Sequence, residues 1–312
     1  RHGYVWLGME DEGVIRFDTR SHRFESIDIG YSPCDIHSFL DDGDCVWIGT
    51  QYGVCIYEGG TVTHAKDIDQ ATGGAPVTSF IRISSSELLM STQGRGIVVY
   101  DTQTKKSRHM TMADGLPSNN INQALADRHQ GIWLATHEGI IYVADPKNLK
   151  SHKVFGLKEG LSDHQVRAIM QDKMGRIWAS TYTEIVCLDT STKQFHHYGQ
   201  QDTGIGGGFM EGASSKSASG SIVFGSPNGL CYFHPESTVT DNKVSEAKIA
   251  LIEVFSPTAE GSDTLLLMAD HKGKLHVDHQ QNTFRITYTV GNYAQAGEVE
   301  YSYMMKGLTD KW

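Results

Sequence analysis

The 312-residue sequence lacks helical periodicity and long apolar runs. No apolar series at i, i+3, i+4 and i+7 is sustained, which argues against a helical solenoid. No apolar run reaches about 18 residues, the minimum expected of a membrane-spanning helix. There is no initiating Met or signal peptide, and the chain begins and ends abruptly at Arg1 and Trp312. We therefore expect a piece of a longer protein.

Basic residues and clustered cysteines are also scarce. Lys and Arg total 27 against 37 Asp and Glu, which gives a net charge of −10, so nucleic-acid binding is not expected. The five cysteines form no CxxC pair, which disfavours a zinc or redox site, and we expect buried free thiols. The only adjacent histidine pair, His196-His197, ends a predicted outer strand. No metal or other cofactor is predicted.

The sequence contains a repeat instead. Short runs of β-formers, split by Gly, Asn and Asp turns, return every 41–45 residues. Leu89 and Val223 occupy the position that other copies give to Trp6, Trp47, Trp133 and Trp178. A period of about 40–45 residues with several short strands is typical of a β-propeller blade. Six blade motifs are visible, and we predict an all-β fold in which they form part of a seven-bladed propeller.

A small residue follows two positions after each repeated Trp, for example Gly49 and, in the last copy, Gly225. Alternate residues of a strand share one face, so a large ring leaves room only for a small neighbour. Close approach of adjacent blades adds the same demand. We therefore interpret the repeated Trp and Gly residues as structural packing positions, not as platforms for sugars.

The extent of the repeat divides the chain into three predicted regions. Residues 1–236 are predicted to form propeller blades that begin inside a blade, and the polar stretch 237–247 reads as a linker. Residues 248–312 are predicted to start a β-sandwich. Four strands are expected there, at 248–256, 264–268, 283–290 and 298–305, and the last two alternate cleanly between apolar and polar residues.

The repeated element resembles the two-component-regulator propeller repeat. One copy is carried by Asp114-Gly115-Leu116, Asp127, Gly131-Ile132-Trp133 and Thr136, and the next by Glu159-Gly160-Leu161-Ser162, Asp172, Gly175, Ile177-Trp178 and Thr181. The segment from Phe209 to Pro235 is similar to the blade that closes such propellers. The C-terminal Tyr301 and Tyr303 resemble the start of the triple-tyrosine domain that follows.

This resemblance implies the periplasmic sensor region of a Bacteroides-type hybrid two-component histidine kinase. In that family, two propellers and a Tyr-rich sandwich sense oligosaccharides from polysaccharide breakdown. The signal passes through one membrane helix to the kinase. The resemblance thus implies an oligosaccharide ligand, an upstream propeller in the same parent chain, a homodimer and a parent anchored in the inner membrane. The chain itself is expected to be non-catalytic.

Loops are the expected place for a ligand. In a four-stranded blade, the loop between strands two and three lies on the same face as the loop that enters strand one, and these loops vary while the scaffold repeats. Sugars need planar hydrogen-bonding groups and aromatic faces. The predicted ligand-binding residues are Tyr52, Arg95, Asn119, Asn120, His137, His164, Gln165 and Tyr182. The resemblance also allows a site at the junction with the upstream propeller.

Two other functions stay open. A propeller glycosidase or lyase would need two carboxylates about 5–10 Å apart over the central face. The acids placed on that face are Glu10, Asp11, Glu12, Glu138 and Asp163. A protein-interaction propeller without a small ligand would instead carry an apolar patch there, which the polar loops do not favour.

Overall fold

The structure is a computed structural model that describes residues 3–238, 248–258, 261–266, 279, 283–289 and 303–305. The chain divides into two compact units, Arg1–Val239 and Thr240–Trp312. The boundary falls inside the predicted linker 237–247, of which residues 239–247 lie outside the described part of the chain.

The first unit contains six antiparallel sheets, numbered here as blades 1 to 6 in chain order. Blade 1 has three strands, β1 (Tyr4–Met9), β2 (Gly13–Asp18) and β3 (Arg23–Ile27). Blade 2 has four, β4 (Ile36–Asp41), β5 (Cys45–Thr50), β6 (Gly53–Glu58) and β7 (Thr61–His64). After helix α1 (Lys66–Thr72), blade 3 follows with β8 (Val77–Arg82), β9 (Glu87–Thr92), β10 (Ile97–Asp101) and β11 (Ser107–Met110).

The later blades repeat this order. Blade 4 comprises β12 (Ile121–Ala126), β13 (Ile132–Thr136), β14 (Gly139–Val143) and β15 (His152–Phe155). Blade 5 comprises β16 (Ala168–Gln171), β17 (Ile177–Ser180), β18 (Ile185–Leu188) and β19 (Phe195–Tyr198). After helix α2 (Gln200–Thr203), blade 6 has β20 (Ser214–Lys216), β21 (Ile222–Ser226) and β22 (Gly229–Phe233). Single 3-10 turns at Met112–Asp114 and Leu157–Glu159 precede blades 4 and 5.

The innermost strands β4, β8, β12, β16 and β20 contact one another in that order, as successive blades of a propeller do. The predicted all-β propeller is therefore confirmed. Helix α1 is an addition that the repeat does not predict. It is too short for an apolar periodicity to stand out, since it buries only Ile68 and Thr72. Gly73 ends it in the left-handed region, with a φ of 65°.

The described part of the second unit is a sheet of β23 (Lys248–Thr258), β24 (Gly261–Leu266) and β25 (Thr283–Thr289), with β23 in the centre. These strands fall on three of the four predicted ones. Of the fourth, predicted over 298–305, residues 298–302 lie outside the described residues and 303–305 are not in a strand. A sandwich built on this sheet stays a prediction.

Apolar side chains of adjacent blades form the core. The ring of Trp178 is 1% exposed and lies 4.7 Å from the ring of Phe233 in the next blade, measured between ring centres. Blades also approach closely at the small residues that follow each repeated Trp. A Cβ atom built on Gly49 would lie 2.2 Å from Ser38 Oγ and 2.3 Å from the carbonyl oxygen of Val77 in blade 3.

The indole N–H groups of Trp47 and Trp178 donate hydrogen bonds to an Asp in the turn between strands one and two of their blades. Asp172 Oδ2 accepts hydrogen bonds from Trp178 Nε1 at 3.0 Å and from Arg176 Nε at 2.6 Å. In blade 2, Asp42 accepts from Trp47 Nε1 at 3.2 Å and pairs with Arg82 of blade 3. The Asp of the repeated motif thus satisfies a buried donor, which would otherwise carry a desolvation cost.

The packing at Gly49 predicts that Gly49→Ala destabilises the propeller by about 1–3 kcal/mol, the usual effect of an added methyl without room. Unfolding in urea, followed by tryptophan fluorescence, measures this change. Gly225→Ala is the matched control, because its Cβ would lie no closer than 3.1 Å from Ala213 Cβ and 3.8 Å from Ala213 O. An equal or larger loss of stability in Gly225→Ala would contradict the proposed role of this contact.

Asp172→Asn is expected to lower the free energy of unfolding by about 3 kcal/mol, because it leaves the half-buried Arg176 without its counter-charge. Asp42→Asn removes the counter-charge of Arg82 at the equivalent Asp, where the carboxylate is 28% exposed instead of 2%, and we expect a loss of about 1 kcal/mol. Thermal unfolding of both variants tests this order, which a larger loss in Asp42→Asn would overturn.

Candidate ligand-binding site

In each of blades 2 to 5, one polar residue lies at the start of the innermost strand, outside its regular pairing. The pairing of strands one and two skips His37 in blade 2, Thr78 in blade 3 and Asn122 in blade 4. In blade 5, Arg167 stands directly before β16 and donates its N–H to Ser180 O at 2.7 Å. Bulges of this kind re-aim a side chain away from the regular ladder. Here they gather polar groups around the end of the central channel.

Two of these residues, Thr78 and Asn122, also link their blade to the next. Thr78 Oγ1 donates to Ile121 O at 2.6 Å, and Asn122 Nδ2 donates to Val166 O at 2.8 Å. Arg167 makes the corresponding link to blade 6, where the guanidinium donates to the carboxylate of Glu211. The acceptor in this last link is therefore a charged side chain and not a backbone carbonyl.

Glu211 is the point on which several blades converge. Gln93 Nε2 of blade 3 donates to Glu211 Oε2 at 3.3 Å. His137 Nε2 of blade 4 lies 3.5 Å from Glu211 Oε1. Gly212 N–H, next in the chain, donates to Arg167 O at 2.9 Å and fixes the loop against blade 5. A single carboxylate thus contacts blades 3, 4 and 5 from blade 6.

An aromatic ring borders this group. The guanidinium carbon of Arg167 lies 5.6 Å from the centre of the Tyr182 ring, and Arg167 Nη2 donates to Gln165 Oε1 at 3.2 Å. The Tyr182 side chain is exposed, so its ring is open to a ligand. We call Gln93, His137, Gln165, Arg167, Tyr182 and Glu211 the Glu211 cluster.

The electrostatics of the cluster are balanced. The side chains of Arg167 and Glu211 are 20% and 32% exposed, and their charges offset each other. Desolvation lowers the pKa of the nearby His37, and the negative charges of Asp35 and Glu211 oppose this shift only in part. His37 is therefore neutral at pH 7. The site offers hydrogen-bond donors and acceptors with little net charge.

Three of the eight predicted ligand-binding residues, His137, Gln165 and Tyr182, belong to the Glu211 cluster. The structure places the other five elsewhere or gives them local partners. The Tyr52 ring lies 5.1 Å from that of Tyr31, and Arg95 lies beside Gly73 at the end of α1.

Asn119 and Asn120 support the loop that enters blade 4. Asn119 Oδ1 accepts from Met112 N at 2.7 Å, and the carbonyl of Asn120 accepts from His137 N at 3.3 Å. His164 Nδ1 lies 3.7 Å from Asp163 Oδ1 and lines a separate open cavity of about 680 Å³ with Glu138 and Leu157. These contacts orient loops and do not join the cluster.

The prediction omitted Gln93, Arg167 and Glu211. Arg167 carried a readable signal, since a polar residue follows an apolar one at the same place in each repeat, as in Ile36-His37 and Val166-Arg167. Glu211 carried none, because it lies in an irregular loop. Within the described residues, no group of three or more His, Cys, Asp or Glu side chains is arranged to hold a metal ion.

The comparisons with known proteins agree with this architecture. Residues 160–183 match the family model of the two component regulator propeller. The chain aligns with the extracellular domain of a hybrid two component system from B. thetaiotaomicron at a TM-score of 0.87 and 32% identity, over 99% of this chain and 43% of that one. Residues 160–183 thus carry a two-component regulator propeller repeat, and the predicted resemblance to such extracellular domains is confirmed.

Two further relatives extend the comparison. The extracellular domain of a second hybrid two component system from B. thetaiotaomicron shares the fold, with a TM-score of 0.62 and 17% identity over 76% of this chain and 31% of that one. Histidine kinase P4 of Formosa agariphila is 21% identical over 374 residues, which is 99% of this chain and 27% of the kinase. The chain therefore spans less than half the length of each of these relatives. Among the residues described, no helix is long and apolar enough to cross a membrane.

A carboxylate near Tyr182 gives a pH-dependent prediction. Burial raises the pKa of Glu184, but hydrogen bonds from His197 Nδ1, at 2.8 Å, and from Ser162 outweigh it and lower the pKa below its usual value. A lowered folded-state pKa means that ionised Glu184 stabilises the fold at neutral pH. This contribution declines as the pH falls through about 4.3, the usual pKa of Glu, and is lost below the folded-state pKa.

We therefore expect Glu184→Gln to reduce the melting temperature at pH 7 and to match the parent near pH 3. Melting curves at intervals between pH 3 and 7 measure the difference. Glu138→Gln, at an exposed position on the same face, serves as the control and should follow the parent throughout. A difference for Glu184→Gln that stays constant with pH would contradict this assignment.

Proposed function

We propose that this chain is the periplasmic sensor part of a hybrid two-component histidine kinase and that it binds a neutral oligosaccharide at the Glu211 cluster. The observation that carries the proposal is the convergence of Gln93, His137 and Arg167 on one carboxylate from three different blades. The similarity to extracellular domains of hybrid two component systems supports the sensor role.

The chemistry of the cluster suits sugar hydroxyls. Carboxylate, amide and guanidinium groups offer planar pairs of acceptors and donors, which match vicinal hydroxyl groups, while an exposed ring such as Tyr182 covers the apolar face of a sugar. Because Arg167 and Glu211 already offset each other's charge, an uncharged ligand leaves neither charge unpaired.

Ligand binding at a point shared by blades 3 to 6 would favour one arrangement of these loops over another. A sensor responds only when a ligand binds two states with different affinity. We propose that the signal reaches the kinase through rearrangement of domains or subunits in a membrane-anchored homodimer, with an upstream propeller in the same parent chain. The net charge of −10 is unsuited to a nucleic-acid partner.

The test is a thermal-shift screen of the protein against neutral and acidic oligosaccharides, followed by calorimetric titration of the stabilising sugar. A ligand that binds only the folded state raises the melting temperature. Arg167→Ala and Glu211→Gln should each weaken binding tenfold or more, because a hydrogen bond to a charged group contributes about 1.5–3 kcal/mol.

Matched substitutions elsewhere on the same face serve as controls. Arg95→Ala and Glu138→Gln repeat the two chemical changes outside the Glu211 cluster and should leave affinity unchanged. Loss of binding in Arg95→Ala, with Arg167→Ala unaffected, would move the site to the loops near α1. Absence of stabilisation by every sugar would favour a propeller that binds another protein, and hydrolysis of the sugars would show an enzyme.

A further inference from the structure

A cavity of about 280 Å³ lies between blades 4 and 5. Its lining comes from strands β13 to β15 of blade 4 and from turns that join strands one and two or strands three and four. The Glu211 cluster lies at loops of the opposite face. The residues that matter here are Asp127, Arg128, Trp133, Tyr142, Lys153 and Lys193. None of them belongs to the Glu211 cluster, so the cavity is a separate feature of the propeller.

The wall of the cavity is aromatic and comes from blade 4 alone. The rings of Tyr142 and Phe155 lie 4.4 Å and 5.9 Å from that of Trp133, all within one sheet. At the next interface, Phe233 of blade 6 packs on Trp178 of blade 5. Among the described residues, no ring from blade 5 packs on Trp133 in this way, and the space remains as a cavity.

Trp133 also differs from its counterparts in its hydrogen bonding. Trp47 and Trp178 each donate their indole N–H to the Asp of the preceding turn. In blade 4 that Asp is Asp127, which interacts instead with the hydroxyl of Tyr142. Trp133 is 4% exposed and, within the described part of the chain, its Nε1 has no hydrogen-bond partner. The interface beside the cavity thus differs from its counterparts by a buried indole donor without a partner among the described residues.

The charge of the lining is positive although the protein is acidic. Arg128, Lys153 and Lys193 line the cavity, and Asp127 is its only carboxylate. Asp127 is already occupied by the backbone N–H groups of His129 and Gly131, at 2.7 Å and 2.8 Å. In the part of the chain that the structure describes, neither lysine ammonium group has an acidic partner. An anion would therefore meet unpaired cations here.

We propose that this cavity binds a uronic acid unit, a sugar ring that carries a carboxylate. The carboxylate pairs with Lys153 and Lys193, and the sugar ring packs on the half-buried Tyr142, whose ring lies 4.4 Å from that of Trp133. An apolar wall with a few convergent polar groups is the usual composition of a small-ligand site, and this volume suits one sugar ring. The inference does not depend on the proposed function of the Glu211 cluster.

The test is calorimetric titration of the purified chain with D-galacturonate, with D-galactose as the neutral match. Galacturonate should bind, and galactose should bind at least tenfold more weakly. Combining Lys153→Ala with Lys193→Ala should weaken galacturonate tenfold or more, and added NaCl should weaken it in the parent, because salt screens exposed charges. Binding should change tryptophan fluorescence, and Trp133→Phe should abolish that change.

Two controls locate the effect. Lys106→Ala removes an exposed lysine of blade 3 outside the cavity, and Arg167→Ala removes a cation of the Glu211 cluster; both should keep the parent affinity. The proposal is overturned if galacturonate does not bind, if galactose or inorganic phosphate binds as tightly, or if the double lysine variant keeps its affinity. Loss of galacturonate binding in Arg167→Ala alone would assign it to the Glu211 cluster instead.

Discussion

The assembly of blades 2 to 5 depends on a side-chain hydrogen bond from one innermost strand to the start of the next. Thr78 and Asn122 make this bond to backbone carbonyls of the following blade. The bond satisfies a backbone acceptor near the axis and sets how closely two blades approach. In blade 5 the same position holds Arg167, whose partner is the Glu211 side chain. The candidate site thus includes a variant of the hydrogen bond that joins successive blades, with a charged side chain as the acceptor.

The two faces present different chemistry as a result. Around Glu211 the charges offset each other and the donors come from several blades. At the cavity beside Trp133, one blade supplies the aromatic wall, and two lysines that have no acidic partner among the described residues supply the charge. Repetition of the scaffold lets each interface tolerate such a departure, because the remaining interfaces keep their apolar contacts. Loops and interface gaps can therefore vary while the blades persist.

Much of the fold could be predicted because the repeat consists of residues whose structural effects are local. Turn glycines, β-formers and a Trp followed by a small residue recur with one period, and each acts on its immediate neighbours. The candidate site was harder to predict, because Gln93 and Glu211 come together only when blades 3 to 6 are assembled. His137, Gln165 and Tyr182 were found from loop position, whereas Asn119, equally polar, is used to hold its own loop. Helix α1 was not predicted, because its two buried residues are too few to show a helical periodicity.

The contact between Gln93 and Glu211 joins residues 118 positions apart, while the bonds that Thr78, Asn122 and Arg167 make to the next blade span only 43 or 44. Most of the propeller can therefore assemble as a chain of neighbour-to-neighbour steps with modest loop-closure entropy. The Gln93 link forms only when blades 3 to 6 are all in place. Occupancy of the Glu211 cluster is then coupled to this non-local contact, so the site reports on the integrity of four blades together.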